Sequence, residues 1–449
     1  MKTERWPTPR RLQAALVSIW VAALLFLLAG VNGVRVHRAS VQTIGKDAVP
    51  SILAAEKLKV SLADLDGNVV NALINPPGQE ASAIKGYVPR RQEITDSLIT
   101  AAENITYGDL ERTPIRNLTN ALSAYERLAI KSQTLHLRGD ERGATSTYRD
   151  ALTQLHDNLL PSADALAKAN SDALNRQTDV QLAATTAAGA LVVVSGLLLL
   201  LALVATQVFL SRRMRRMINI PLLLATGIVV VLLTTTMTAF STAREQVRAA
   251  HDDAFVSLSA LWQARATAYE ANSDESRWLF DRDHRPALEQ QFFAKSALLV
   301  HPPAGQSPDA VTAATTSGPL PSGTTGYLAD ERKNITFPGE GEAAERATHA
   351  FGVYYANDGR VRALENAGQH AQAVRFCNSM APGDSNWSFV QFDKALDDTI
   401  NINQTAFDAS IASGFGTLNH RELTFTLTAL ALCALGFAGL RPRLREYDV

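Results

Sequence analysis

Four stretches of this chain are free of charge and nearly free of polarity. No charged residue lies between Arg11 and Arg35, between Asp179 and Arg212, between Arg216 and Arg244, or between Glu422 and Arg441. Each stretch is rich in Leu, Val and Ala and approaches or exceeds the ~18–20 apolar residues that a membrane-spanning helix needs. The pattern predicts transmembrane helices at 12–33, 187–209, 220–240 and 423–440. The first run is long and lacks a convincing small-x-small cleavage site, so it reads as an anchor and not as a cleaved signal peptide.

The two long segments left over, 34–186 and 241–422, carry helical periodicity. Leu58, Leu62, Leu65, Val69 and Leu73 recur at three- and four-residue spacing and share one helix face. Leu118, Leu122, Tyr125 and Leu128 make a second stripe, and Leu152, Leu155, Leu159 and Leu166 a third. "NPPG" at 75–78 breaks the first helix, and Gly108 and Gly139 are expected breaks further on. Narrow stripes on several long helices predict an up-down bundle whose first and last helices run into the flanking spans. The second segment repeats the first in register. Val41, Asp47, Ala48, Ser51, Ala54 and Leu73 match Val247, Asp253, Ala254, Ser257, Ala260 and Leu279, and a later register pairs Tyr125, Leu135 and Gly139 with Tyr354, Leu364 and Gly368. This predicts a second bundle over 241–422, with a mobile Pro/Gly/Ser/Thr-rich loop at 301–326 and a final helix from about Trp387 to the membrane.

Charge sets the orientation. Lys2, Arg5, Arg10 and Arg11 precede the first span, Arg212, Arg213, Arg215 and Arg216 sit in the short seam after the second, and Arg441, Arg443 and Arg445 follow the fourth. Positive residues in short flanks stay in the cytoplasm. The expectation is therefore a multi-pass cell-membrane protein with cytoplasmic 1–11, 210–219 and 441–449, both termini inside, and both long segments outside. In fold class it is an all-α membrane protein with four transmembrane helices and two extracytoplasmic helical-bundle domains. A net charge of −1 offers no basic face for nucleic acid. The two cysteines, Cys377 and Cys433, fall in different compartments and predict no intrachain disulfide.

The search for chemistry returns no catalytic, phosphate-binding or metal-binding motif, and the nine histidines are scattered singly. No enzyme activity, metal or cofactor is expected. Thr234, Thr235, Thr236 and Thr238 in the third span are expected to bond their own backbone, and Gly189 and Gly196 are candidate close-contact positions in the second. Two polar clusters are candidate extracytoplasmic ligand or partner sites. One is "DLDGNVVNAL", with Asp64, Asp66 and Asn71. The other, at the matching place, is "NSDESRWLFDRDHR", with Glu275, Arg277, Trp278 and Arg282. Guanidinium suits a carboxylate, and a neighbouring tryptophan suits an interface. The same residues also read as a charged helix face with one tryptophan packed in the core. The seam arginines Arg212, Arg213, Arg215 and Arg216 are candidate contacts for a cytoplasmic partner, and equally a topology and lipid-headgroup signal.

Helical bundles between membrane helices resemble the four-helix-bundle sensor domains of bacterial chemoreceptors and sensor kinases. The chain departs from them at "RRMRRMINIPLLLATG", which turns straight back into the membrane where those receptors continue into an output domain. With the duplicated bundle, the arginine-rich seam and the terminal "GLRPRLREY", it resembles the actinobacterial four-span membrane proteins of the GlnX type. That resemblance implies a non-enzymatic signal relay for the aspartate, glutamate or glutamine class. Its partners would be an extracellular solute-binding lipoprotein, a cytoplasmic Ser/Thr kinase of the protein kinase G type, and the lipid bilayer. Bundle sensors are often dimers, so a homodimer is also an expectation. A scaffolding protein of the cell envelope is the alternative, and a transporter accessory subunit, disfavoured by spans without ionisable residues, the third reading.

Overall fold

The computed structural model describes residues 8–78, 81–214 and 219–445. The protein is 88% helical, with no strand among the described residues, and four of its helices are long and apolar enough to cross a membrane. In chain order the helices are α1 (Thr8–Gln42), α2 (Val49–Ile74), α3 (Ala81–Glu103), α4 (Asp109–Leu137), α5 (Glu141–Gln154) and α6 (Leu160–Met214). There follow α7 (Ile220–Arg248), α8 (Val256–Phe280), α9 (Arg285–Leu299), α10 (Pro308–Thr316) and α11 (Tyr327–Lys333). The chain ends with α12 (Glu340–Asn366), α13 (His370–Asn378), α14 (Ser385–Leu418) and α15 (Arg421–Arg445). The predicted spans fall inside α1, α6, α7 and α15.

Two compact units result. The span unit comprises the described parts of Met1–Ile44, Asn175–Ala249 and Ala409–Val449. Its helices pack through small residues, as helices do where lipid supplies no hydrophobic drive. The ring of Phe425 lies against Gly30 and meets Phe26 edge-on at 5.4 Å. Gly196 lies against Phe26 and Leu233, whereas nothing approaches Gly189. Thr234, Thr235 and Thr238 donate to carbonyls of their own helix, but the buried Thr236 hydroxyl has no partner. The final helix is not continuous: α14 stops at Leu418 and α15 starts at Arg421, with His420 in the left-handed region at φ 58°.

The bundle unit comprises Gly45–Leu174 and Ala250–Asp408. Sequence periodicity assigned a bundle to each long segment; the structure packs the two segments around one core. Leu58, Leu62, Leu65, Val69 and Leu73 are all buried, and the same cluster takes in Trp278, Leu279, Val361, Phe376 and Cys377 of the second segment. At the centre α2 lies along α8 so closely that a Cβ on Gly67 would stand 2.9 Å from Ser273 Oγ, which itself donates to Ala63 O. The stretch expected to be a loop, 301–326, contains α10. Ser307 caps it, and its Thr315 presses on Gly352 of α12.

Contacts recur at matched places in the two segments. Lys59 reaches Asp164 at 2.8 Å, and Arg265 reaches Asp393 at 2.7 Å. Tyr125 donates to Asp66 at 2.7 Å, and Asn272 donates to Tyr354 at 3.4 Å. Gly139 and Gly368, at φ 78° and 75°, end α4 and α12 with the same bond, Asp140 N–H to Leu135 O and Gln369 N–H to Leu364 O. Beside each glycine a histidine meets a glutamate, His136 with Glu141 and His370 with Glu365, the two residue types exchanging sides. π-helical turns occupy Thr43–Ala48 and Ala249–Phe255, again at matching positions.

Candidate functional site

The candidate residues of the bundle unit follow from how α2 and α8 are built. Both helices are buried almost all round, so polar side chains on their contact faces must satisfy each other. Asp66 on α2 is fully buried and accepts from Tyr125 at 2.7 Å, Tyr148 at 2.8 Å and Arg277 of α8 at 2.5 Å. Arg277 also donates to Tyr148 at 3.1 Å and to Asp274 at 2.5 Å. Asp274 in turn accepts from Lys295 of α9 at 2.6 Å. Burial first, and the Asp66 carboxylate second, hold both phenols well above their ordinary range, so each remains a donor. Burial alone would lower Arg277, but Tyr148, Asp66 and Asp274 outweigh it and keep the guanidinium charged.

The result is a closed network. Each ring hydroxyl, each carboxylate oxygen of Asp66 and each arm of Arg277 has a partner, so a substrate would find no open valence. Its role is to join: the anion comes from the first segment, the cation from the second. Removing one partner of such a pair costs about 3–5 kcal/mol, because the other is left charged and dry.

The other candidates lie around this joint. Asp64 pairs with Arg90 of α3 at 2.5 Å. Asn71 accepts from Ser276 at 2.6 Å. Glu275 is buried, accepts from Ser385 at 2.9 Å, and is pushed up by burial first and by Asp358 second. Trp278 is buried between two guanidinium groups, Arg285 at 4.7 Å and Arg362 at 4.8 Å. Arg282 lines an open cleft. The structure thus unites Asp66 with Arg277 and Asn71 with its α8 neighbour, spends Asp64, Glu275 and Trp278 on packing, and sets Arg282 apart.

Of the seam arginines, Arg212 and Arg213 are exposed in the last turn of α6. Arg215 and Arg216 lie outside the described residues. The seam closes on Asn219, which caps α7 through Leu222 N–H and donates to Gly439 O at 2.9 Å.

Sequence reading missed Tyr148, Asp274 and Lys295, which complete the network, and a buried acid pair at the start of α12. There Asn403 Nδ2 reaches Glu340 at 2.7 Å and Glu331 at 3.4 Å, and burial, then the Glu340 charge, pushes Glu331 up to about 8. A signal for that place existed. "NITY" at 104–107 and "NITF" at 334–337 repeat one motif in the two segments. Both are turns in which Thr106 and Thr336 donate to Asn104 O and Asn334 O at 3.2 Å.

Residues 40–179, which run from the end of α1 into α6, match the family model described as Actinobacterial sensor domain. No curated protein and no solved structure matches the chain. The match supports an actinobacterial sensor protein with a sensing or signalling role.

Proposed function

We propose that the protein is a non-enzymatic transmembrane signal relay of the GlnX type, built from a duplicated helical sensor. The bundle unit takes the input, an amino acid of the aspartate, glutamate or glutamine class met directly or on a solute-binding lipoprotein. The seam, with both termini on the same cytoplasmic face, hands the output to a Ser/Thr kinase. One observation carries the reading. The 55-residue helix α6 starts inside the segment that matches the sensor domain and ends at the seam, with Arg212 and Arg213 in its last turn. A helix resists bending and stretching, so a displacement at one end arrives at the other. A relay needs two states biased from one side and read from the other. The recurrent contacts of the two segments support duplication, and the Asp66–Arg277 pair supports their working as one input.

The test replaces Arg212, Arg213, Arg215 and Arg216 by Gln in a chain of independently verified topology. Loss of metabolite-dependent kinase signalling is expected, with membrane insertion intact. Unchanged signalling would reduce the seam to a topology signal. A second measurement separates relay from scaffold: cysteine cross-links between α1 and α6 change with the input in a relay and stay constant in a scaffold.

A further inference from the structure

At the end of the bundle unit where the helices turn, near Asn75, Gly139, Phe280 and Gly368, lies a cleft of ≈ 920 Å³. Pockets of this size hold small molecules. Both segments wall it: Leu73, Ile74 and His136 from the first, Phe280, His370 and Asn378 from the second. Apolar side chains, among them Leu73, Ile74 and Phe280, line it beside two arginines. Arg282 and Arg375 both line it, both are exposed, and neither has an ion-pair partner among the described residues. Exposed arginines without partners are common; two that converge on one concavity are not.

The rest of the unit sharpens the contrast. Arg90, Arg149, Arg265, Arg277, Arg285 and Arg362 are all held by carboxylates. Glu141 also lines the cleft, bonded to His136, while Glu365 is held by both His370 and Arg285. The two arginines outnumber that one carboxylate, so the net charge of the lining is positive. Asn378 adds a second sign. Neither its side-chain nitrogen nor its oxygen has a hydrogen-bond partner, and both are closed to solvent in the cleft wall. A desolvated amide without partners is rare in a folded protein and calls for an account.

We propose that this cleft binds a small organic anion. Its carboxylate or phosphate group is held by the Arg282 and Arg375 forks, and its apolar body rests on Leu73 and Phe280. Arg282 stands two residues past the end of α8, the helix that holds Asp66 through Arg277, and Asp281 between them carries both arms of Arg149 at 2.6 and 2.7 Å. A ligand in the cleft therefore touches both segments at the mouth of the joint between them. Its affinity depends on how they are set together, which is the differential contact an input requires. This goes beyond the relay reading, adding an apolar-bodied anion as a second input beside the amino-acid class named above.

The experiment is titration calorimetry and thermal unfolding of the full chain in nanodiscs with succinate, phenylacetate, phenyl phosphate and inorganic phosphate, at constant ionic strength. We expect phenylacetate or phenyl phosphate to bind saturably and to raise Tm, and which of the two binds tighter assigns the anionic group. The double variant Arg282→Gln/Arg375→Gln, altered only at exposed positions, should weaken that binding by at least about tenfold. Lys394→Gln, in a separate hollow of the same unit, should leave it unchanged. The proposal falls if no probe binds saturably, or if binding is the same in the double variant. These readouts report binding alone, so a negative result removes the cleft as an input and leaves the seam and cross-link tests of the relay standing.

Discussion

The two long segments differ most where they touch. In the register that aligns them, Asp66 stands opposite Asn272, and Asn71 opposite Arg277. One diagonal of the α2–α8 contact is an ion pair, and the other would be two amides. In the first segment Tyr125 binds a carboxylate; in the second the Tyr354 hydroxyl accepts from the Asn272 amide. Peripheral contacts, by contrast, keep their sense, as Lys59–Asp164 and Arg265–Asp393 do. The halves have kept a common frame and divided the charges at the centre. A buried anion on one side and a buried cation on the other favour the pairing of unlike halves and penalise that of like ones.

The largest expected effect breaks that division. Arg277→Met leaves Asp66 buried with two phenols and no cation, and should destabilise the bundle unit by about 3–5 kcal/mol. Asp66→Asn added to it should restore much of the loss. Denaturant unfolding followed by circular dichroism in detergent reads both, and a cycle without coupling would mean that the pair is not a unit.

A smaller effect sharpens the contrast at the turns. Three residues before Asn104 the first segment has the buried Ala101; three residues before Asn334 the second has Glu331. The folded pKa of Glu331, about 8, lies above the ordinary 4.5, so the folded state binds the proton more tightly. Its contribution is fully present below pH 4.5 and is lost as pH rises through about 8. Glu331→Gln should therefore raise stability at alkaline pH, on the order of a few kcal/mol, and leave it nearly unchanged in acid. The measurement is Tm against pH for both proteins; parallel curves would refute the assignment.

The smallest effect concerns the exchanged His–Glu pairs. Glu141 is 57% exposed, so solvent screens its bond to His136. Glu141→Gln should therefore cost about 1 kcal/mol or less, whereas Glu365→Gln, which takes a buried carboxylate from both His370 and Arg285, should cost more. Thermal shifts of the two variants check the order.

Much of the fold was legible because it is local. Apolar runs gave the four span helices, periodic leucines gave the core-facing stripes of α2, of α4 and of the run from α5 into α6, and "NPPG" and Gly139 gave breaks. What periodicity does not encode is which stripe meets which. Asp66 and Arg277 were singled out as members of two polar clusters, yet nothing in their spacing said that they bind each other instead of a ligand. The α10 helix hid in a Pro/Gly-rich composition, since Ser307 and Pro308 start a helix as readily as they end one. The stop at Asn419 and His420 hid for the opposite reason, between two strongly helical runs. In the cleft, His136 and Arg282 lie far in sequence from His370, Arg375 and Asn378, which share α13, and the three groups converge only through the hairpin turns.

The Asp66–Arg277 bond has a practical corollary for dissection of the molecule. Residues 40–179 look like a detachable module, because a sensor-domain model covers them from end to end. Cut out alone, that fragment would carry a dehydrated carboxylate whose counter-ion is encoded in the other half, together with an uncovered face of α2. Expression of the fragment should yield an aggregating or unfolded peptide, and co-expression with 241–422 should rescue it, in the manner of two subunits written into a single gene.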